Sequence, residues 1–226
     1  MTFIHEDFNL GYDDLVAETT SNGRMYSDPD GNKYPSVTTV LSILSEDSIR
    51  EWRARVGEEE ANKISTKASR RGTAVHSIIE KYIDNEENYK DDFTPDVVSS
   101  FLSIRDILDN SIGRVYAQEA PLYSKHLGLA GRVDCVAEFN GKLSIIDFKT
   151  SRKLKKKEWI EGYFIQETAY AIMWEERTGI PITQLVTLIA VDDEEPQVFI
   201  EHRDNWDKKL IETINEYKRR KLFGHA

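Results

Sequence analysis

Two stretches of alternating apolar and polar residues, 132–139 and 142–149, predict a pair of β-strands in the second half of the chain. The dipeptide between them, Asn140-Gly141, is the strongest short-range signal of a two-residue hairpin turn. The length of such a turn fixes which residues of the two strands face each other. The pattern therefore predicts an antiparallel hairpin whose register can be counted outward from the turn.

Counting outward from the turn brings acidic residues together. Val136 faces Ile145, and two positions further from the turn Asp134 faces Asp147. Like charges at directly opposed positions destabilise an antiparallel pair, so a compensating cation is expected there. Lys149 lies two residues beyond Asp147 and emerges on the same face of its strand. Two carboxylates and an ammonium group should therefore meet at one end of the hairpin.

A purely structural interpretation explains the hairpin alone equally well. In that interpretation Asp134 pairs with Arg132 or with a neighbouring lysine, and Asp147 simply ends a strand. An Asp-x-Lys triplet is common by chance, so the rest of the chain has to decide between the two.

Hydrophobic periodicity predicts that helices surround this strand-rich middle. The predicted helices are a short one after Ser36 and then residues 47–56, 58–68, 70–85, 96–110, 158–178 and 205–222. The other predicted strands are a small N-terminal hairpin turning at residues 28–31, then residues 114–122, 184–191 and 197–201. Ser36 is expected to cap its helix, with phosphate contact as the alternative. The resulting fold class is an α/β sandwich around a mixed sheet.

The composition is that of one soluble globular domain. A chain of 226 residues can bury a substantial core. No apolar stretch is long enough to span a membrane, and the N-terminus lacks the basic-then-apolar pattern of a signal peptide. The single Cys135 excludes an intramolecular disulfide and a cysteine-built zinc site, and it fits a reducing compartment. We expect a cytoplasmic protein of a bacterium or a phage-infected cell, with a monomer favoured.

The net charge of −10 argues at first against a nucleic-acid partner, because phosphate binding normally leaves a basic surface. The charges are nevertheless segregated along the chain. Acidic residues concentrate in 58–60, 86–92 and 192–195, whereas basic residues concentrate in 50–55, 70–71 and 149–157. The densest basic run directly follows the hairpin, so a local phosphate-binding surface is compatible with the acidic total.

His76 is the candidate nitrogen ligand of a metal ion. It lies four residues before Glu80, so the two share one face of a predicted helix. A lone histidine on a helix is more often a packed or exposed residue without chemical function. Its assignment as a ligand therefore depends on a metal site elsewhere that lacks a neutral nitrogen donor.

Four segments together resemble the motifs of the PD-(D/E)XK nuclease superfamily. They are RGTAVH at residues 71–76, AGRVD at 130–134, IDFKTS at 146–151 and QETAY at 166–170, in the order found in that family. Each segment alone has low specificity for the family, but four of them in this order form a strong signal. Within the superfamily, the chain looks like the RecB-like branch that includes the mitochondrial genome maintenance exonuclease and its phage relatives. Residues 34–38, YPSVT, extend the likeness towards the N-terminus with lower specificity.

The resemblance implies a fold and a set of site residues. The fold would be a restriction-endonuclease-like core at residues 70–226 and an N-terminal hairpin and helical region at residues 1–69, together one compact domain. The implied metal ligands are His76, Asp134, Asp147 and the backbone carbonyl of Phe148, and the implied catalytic residues are Asp134, Asp147 and Lys149. Residues predicted to contact substrate are Gln166, Tyr170, Arg71, Arg132, Thr150, Ser151, Lys153 and Ser36. Glu119 and Glu80 are auxiliary candidates.

The predicted activity is a Mg²⁺- or Mn²⁺-dependent DNA exonuclease that acts on single-stranded ends or flaps in DNA replication, recombination or repair. Carboxylate and carbonyl oxygens suit Mg²⁺, and an added imidazole makes Mn²⁺ a good alternative. Lys149 would orient or deprotonate the attacking water, and a neighbouring cation should lower the pKa of its ammonium group. The alternatives are an endonuclease or duplex-resecting nuclease of the same fold, a non-catalytic DNA-binding module, and an unrelated metal-binding domain.

Two further regions are candidate DNA contacts. The basic run at residues 152–157 is either a solvated loop or a track for phosphate groups, and its position beside the candidate site favours the track. The helical region at residues 36–85 carries Trp52 among the basic residues Arg50, Arg53, Arg55, Lys63, Lys67, Arg70 and Arg71, which could cover a single strand and stack on its bases. The resemblance implies such a helical arch, whereas composition alone only permits it.

Overall fold

The computed structural model describes residues 2–12, 14–21 and 23–224 of the chain. The strands are β1 Ile4–His5, β2 Val16–Thr20, β3 Gly23–Ser27, β4 Lys33–Pro35, β5 Ile112–Ser124, β6 Leu129–Phe139, β7 Lys142–Ser151, β8 Gln184–Val191 and β9 Gln197–His202. The helices are α1 Val37–Leu41, α2 Glu46–Val56, α3 Glu58–Ile83, α4 Pro95–Ser111, α5 Glu161–Thr178 and α6 Asp207–Leu222. Short 3-10 helices lie at Ser42–Leu44, Lys157–Trp159 and Arg203–Asn205. Within the described ranges, no helix combines the length and the apolar character needed to cross a bilayer.

The centre of the molecule is a six-stranded mixed sheet in the order β1-β5-β6-β7-β8-β9. Strands β5, β6 and β7 are antiparallel neighbours, whereas β7 and β8 run parallel. A parallel pair needs a crossover connection, and helix α5 provides it between β7 and β8. The predicted mixed sheet is confirmed.

The predicted hairpin is present with the predicted register. Val136 pairs with Ile145, and Phe139 pairs with Lys142 at the turn. The turn residues Asn140 and Gly141 have φ values of 52° and 77°. A type I′ turn requires positive φ at both central positions, which is why Asn-Gly serves there.

Helices cover both faces of the central sheet. On one face, α1, α5 and α6 bury a cluster that includes Phe164 and Trp174, both fully buried. On the other face, α3 and α4 bury a cluster that includes Ile78 and Phe101. The sheet is therefore the middle layer of a three-layer sandwich, and α3 and α5 approach it from opposite sides.

Two parts of the fold differ from the expectation. Helix α3 is continuous from Glu58 to Ile83, so the predicted break between residues 68 and 70 is wrong. Gly72 lies inside α3, since a single glycine costs a helix only about 1 kcal/mol. Helix α3 also crosses position 70, where the chain was expected to divide into two regions. That division stays a prediction.

The N-terminal hairpin is confirmed but is larger than expected. Strands β3 and β4 pair as predicted, and β2 adds a third strand to their small sheet. The two residues of β1 pair in parallel with β5. Neither β1 nor β2 was predicted, because the first is too short for a pattern and all residues of the second are exposed.

Candidate metal centre

Three acidic residues lie side by side across β5, β6 and β7. The β5–β6 register places Glu119 opposite Asp134. On the other side of Asp134, the last regular pair between β6 and β7 is Cys135 with Ile146. The next position along both strands brings Asp134 opposite Asp147. Like charges on neighbouring strands repel each other, so this row of three carboxylates, here called the acid row, requires compensating positive charge.

His76 reaches the acid row from α3. Its Nδ1 lies 3.5 Å from Asp134 Oδ2 and 4.0 Å from Glu119 Oε1. One ligand atom from each of the three residues lies within 4.8 Å of the other two. One imidazole nitrogen and two carboxylates are a donor set that suits a divalent cation, so the residues present fit a metal ion. Sequence reasoning treated Glu119 only as auxiliary, whereas the structure makes it the third member of this cluster.

Glu119 has an unusual backbone and an unusual pKa. Its φ of 45° is in the left-handed region, and the guanidinium of Arg132 donates a hydrogen bond to its carbonyl oxygen. Burial raises the pKa of Glu119 to about 7, with Asp134 adding to the rise and His76 opposing it. The carboxylate is therefore poorly compensated by the protein groups around it.

Asp147 is held separately from the His76 cluster. It is only 2% exposed, its Oδ1 accepts a hydrogen bond of 2.9 Å from Gln166 Nε2, and its Oδ2 contacts the ammonium of Lys149. Burial raises the pKa of Asp147 to about 6, although Lys149 opposes the rise. The structure thus brings His76 and Asp134 together, while both oxygens of Asp147 face other side chains. Its assignment as a metal ligand stays a prediction.

Lys149 is surrounded by groups that stabilise its charge. Burial alone would lower the pKa of its ammonium, but the nearby carboxylates of Asp147 and Asp134 outweigh burial and raise that pKa. Its Nζ also lies 5.1 Å from the ring centroid of Tyr163, a favourable cation–π distance. The protein groups by themselves therefore keep Lys149 charged, and the lowering of its pKa expected from a neighbouring cation stays a prediction.

Phe148 connects β7 to the acid row through its backbone. Its amide N–H donates a 2.9 Å hydrogen bond to Asp134 Oδ2, in the place where regular strand pairing has ended. A strand residue directs its N–H and its C=O to the same neighbour. The Phe148 carbonyl is therefore expected to face the same edge, and its role as a ligand stays a prediction.

Helix α5 supports the acid row from the other side of the sheet. Tyr170 is only 4% exposed, and a Cβ atom built on Gly131 would lie 2.8 Å from its hydroxyl oxygen. Glycine at position 131 is thus what lets the helix approach β6 so closely. Tyr170 was predicted to contact substrate, but the structure packs it against the strand segment that carries Asp134.

Glu167 is a site residue that sequence reasoning missed. It is fully buried, and its Oε1 accepts a hydrogen bond from the Thr187 hydroxyl, on the β8 residue paired with Asp147. Burial, followed by the charge of Asp147, raises its pKa well above the usual range. Its sequence position next to Gln166 was the only signal, because an acidic residue on an amphipathic helix normally indicates an exposed face.

Three predicted substrate contacts are occupied by protein partners. Arg71 donates hydrogen bonds to Asp192 and to Ser100 Oγ. Arg132 donates hydrogen bonds to the Glu119 carbonyl oxygen and to Asp14 Oδ1. The Ser36 hydroxyl is buried and accepts the amide hydrogen of Thr39, so the expected cap is confirmed and no exposed oxygen is left for phosphate.

The remaining predicted contacts line open space on two sides of the site. A groove of 1220 Å³ contains Thr150, Ser151 and Lys153, at the end of the strand that carries Lys149. A smaller cavity of 530 Å³ is lined by His76, Glu119 and Glu80, among others. Burial raises the pKa of Glu80. The cluster formed by His76 is therefore accessible from outside the protein.

The sequence model of the PD-(D/E)XK nuclease superfamily matches residues 46–223. The human protein named mitochondrial genome maintenance exonuclease 1 is 31% identical over 151 residues, which are 62% of this chain and 43% of that protein. The mouse protein of that name is 32% identical over 132 residues, covering 55% of this chain and 39% of its own length.

Two further similarities cover more of the chain. The Xenopus tropicalis protein of the same name is 27% identical over 206 residues, which are 83% of this chain and 58% of the relative. A solved Eubacterium rectale structure, described as a candidate exonuclease, aligns with a TM-score of 0.45 at 18% identity and covers 70% of this chain and 68% of its own. The chain spans between 39% and 58% of the length of the three named relatives.

The raised pKa of Glu119 predicts how cation binding depends on pH. Because its pKa is about 7 in the folded protein, the folded state binds this proton more tightly than the unfolded chain. Without a cation, its contribution to stability should therefore fall as pH rises from about 4.5 to about 7. A cation competes with that proton, so Mg²⁺ or Mn²⁺ should raise the Tm more at about pH 8 than at about pH 5.5.

Substitution of Glu119 provides the control. Glu119→Gln should make the cation-induced rise in Tm small at both pH values, whereas Glu59→Gln, an exposed position on the helix that carries His76, should behave like the wild type. An equal rise in Tm at both pH values for the wild-type protein would contradict the assignment.

The contact between Gly131 and Tyr170 predicts a destabilised variant. Gly131→Ala should lower the free energy of unfolding by about 1–3 kcal/mol, because the buried ring cannot move away without disturbing the core. Gly162→Ala is the matched control, since a Cβ there meets no atom within 4 Å and alanine favours the helix. Chemical denaturation should give Gly131→Ala a lower free energy of unfolding than the wild type. The value for Gly162→Ala should equal or exceed that of the wild type. Unchanged stability of Gly131→Ala would show that the close approach is unimportant.

Proposed function

Because the chain belongs to the PD-(D/E)XK nuclease superfamily, we propose that it is a metal-dependent DNA exonuclease that acts on single-stranded ends or flaps. The supporting observation is the acid row, with His76 on one side of it and Lys149 on the other. Phosphodiester hydrolysis needs positive charge at the phosphate, an oriented water and help for the leaving oxygen. The side chains at the acid row match these requirements, and we propose DNA replication, recombination or repair as the setting.

The proposed cofactor is Mg²⁺ or Mn²⁺. His76, Glu119 and Asp134 would hold it, with Asp147 and the Phe148 carbonyl as the further ligands that the family resemblance implies. When bound, a divalent cation supplies Lewis acidity and positive charge at the scissile phosphate. The imidazole nitrogen makes Mn²⁺ as suitable as Mg²⁺ for this donor set.

Lys149 has the proposed role of a charged donor. Its raised pKa keeps the ammonium protonated among the protein groups, so it can donate hydrogen bonds to the attacking water or to a phosphate oxygen. Gln166 fixes the neighbouring carboxylate of Asp147, which in turn fixes the ammonium. The ammonium thus stabilises negative charge that develops during hydrolysis without having to move into place.

Two surfaces support a single DNA strand as substrate. Helix α2 has no buried residue, and the first half of α3 is mostly exposed, so the two helices stand out from the core as an arch would. The groove at the end of β7 carries Arg152, Lys153 and Lys155, none of which forms an ion pair with any residue that the structure describes. These three cations suit a phosphate backbone, although Asp193, Glu194 and Glu195 also line the groove and would repel one.

The relatives supply the exonuclease part of the proposal. Their name describes an exonuclease, and this chain matches part of each of them. An endonuclease or a duplex-resecting enzyme of the same fold is the alternative outcome of the product analysis below.

Removing the ammonium of Lys149 should abolish most activity. Lys149→Ala should lower the turnover of labelled single-stranded DNA by on the order of 10²–10³-fold, since a positioned charge at the phosphate is lost. Lys142→Ala, exposed at the other end of the same strand, should cleave at the wild-type rate. Circular dichroism and Tm should show that both variants are folded. Equal cleavage by Lys149→Ala and the wild type would favour the non-catalytic module.

The products distinguish the modes of cleavage. A strand labelled separately at each end should be shortened from an end in the presence of Mg²⁺ or Mn²⁺ and should stay intact with EDTA. Covalently closed single-stranded circles should resist the enzyme, and their cleavage would end the exonuclease proposal.

The basic groove predicts salt-dependent binding. Replacing Arg152, Lys153 and Lys155 by glutamine should weaken binding to a fluorescent single strand and reduce the salt slope by about 2, since each phosphate contact contributes about 0.7. Replacing Lys208, Arg219 and Lys221 on α6 removes the same charge elsewhere and should leave the slope nearly unchanged. Equal slopes for both triple variants would show that the groove does not carry the strand.

A further inference from the structure

A second cleft opens beside the catalytic centre, on the α5 side of the sheet. It has a volume of 930 Å³ and lies between the segment around Leu44, the segment around Trp159 and helix α6. Two of the residues that line it, Tyr163 and Gln166, also contact the catalytic centre. Gln166 donates to Asp147, and the ring of Tyr163 lies below the Lys149 ammonium. The cleft therefore shares two wall residues with the site of the proposed reaction.

Trp159 stands at this cleft with most of its surface in solvent. It is 66% exposed, and Leu44 on the other side of the cleft is 51% exposed. In contrast, Trp174 is fully buried and Trp206 is 7% exposed. A large exposed aromatic side chain is costly to leave in water, so its position next to a catalytic centre indicates a binding role.

The charges around the cleft favour a neutral, flat ligand over a phosphate group. Glu161 pairs with Lys209 and Glu216 pairs with Arg220, so these cations already have acidic partners. The ammonium of Lys156 lies 5.3 Å from the ring centroid of Trp159. The ammonium thus covers one face of the indole, which leaves the other face for a base, and the same cation can meet the phosphate attached to that base.

We propose that Trp159 is a stacking platform for an unpaired nucleobase of the DNA strand that lies at the catalytic centre. This inference rests on the proposed function and adds a binding site to it. A base can lie flat on the indole only when it is free of a complementary strand, so the platform favours single-stranded over duplex DNA. Gly162, which also lines the cleft, has no side chain and leaves open space beside the platform.

Binding to normal and abasic oligonucleotides tests the platform. The full chain is titrated, in EDTA to prevent cleavage, into a fluorescent single-stranded oligonucleotide and into the same strand with abasic sites throughout. Trp159→Ala should bind the normal strand about tenfold more weakly than the wild type, the range of one base–aromatic stack. It should bind the abasic strand as the wild type does, and Trp159→Phe should retain most of the affinity for the normal strand.

Phe223→Ala is the matched control. Phe223 is 70% exposed but lies outside the cleft, so its removal should not change either affinity. If Trp159→Ala binds the normal strand as tightly as the wild type, or if its affinity falls by the same factor for both strands, the platform is contradicted. The proposed DNA substrate is unaffected by either result. If the wild type binds neither strand, the proposed DNA substrate and the platform both fail.

Discussion

Three carboxylates on neighbouring strands impose the constraint on which the rest of the site depends. The sheet places Glu119, Asp134 and Asp147 in one row, and like charges in such positions repel each other. The protein compensates one end of the row with Lys149, which contacts Asp147. At the other end, His76 and Arg132 lie near Glu119 but do not offset its burial, and the pKa of Glu119 is raised to about 7. The negative charge of the row is therefore compensated unequally. The end at Glu119 is suited to bind a cation, whereas the end at Asp147 already has the Lys149 ammonium.

The surrounding fold holds this row in place from both faces of the sheet. Helix α3 brings His76 to one face and α5 brings Gln166 and Tyr170 to the other. The approach of α5 depends on Gly131, because any side chain there would meet the Tyr170 ring. Helix packing, strand register and site geometry are therefore consequences of the same few contacts, and the site residues need not be close in sequence.

The PD-(D/E)XK fold and two of the three carboxylates in the acid row could be predicted from the sequence. The Asn140-Gly141 turn fixes a register, and counting from it brings Asp134 towards Asp147. The same counting from the β5–β6 turn would have placed Glu119 opposite Asp134, but the loop at 125–128 has no comparably specific signal. The buried Glu167 was not predictable, because its pattern is that of an exposed helix position and only tertiary packing buries it.

The most direct test of this account is the position of a bound Mn²⁺ ion in a crystal. Anomalous scattering at the manganese edge should give its strongest peak beside His76, Glu119 and Asp134, with ligand distances of about 2.1 Å. That result would show that the row is completed by a cation at its poorly compensated end. A manganese peak elsewhere on the protein, with none at these three side chains, would contradict the account.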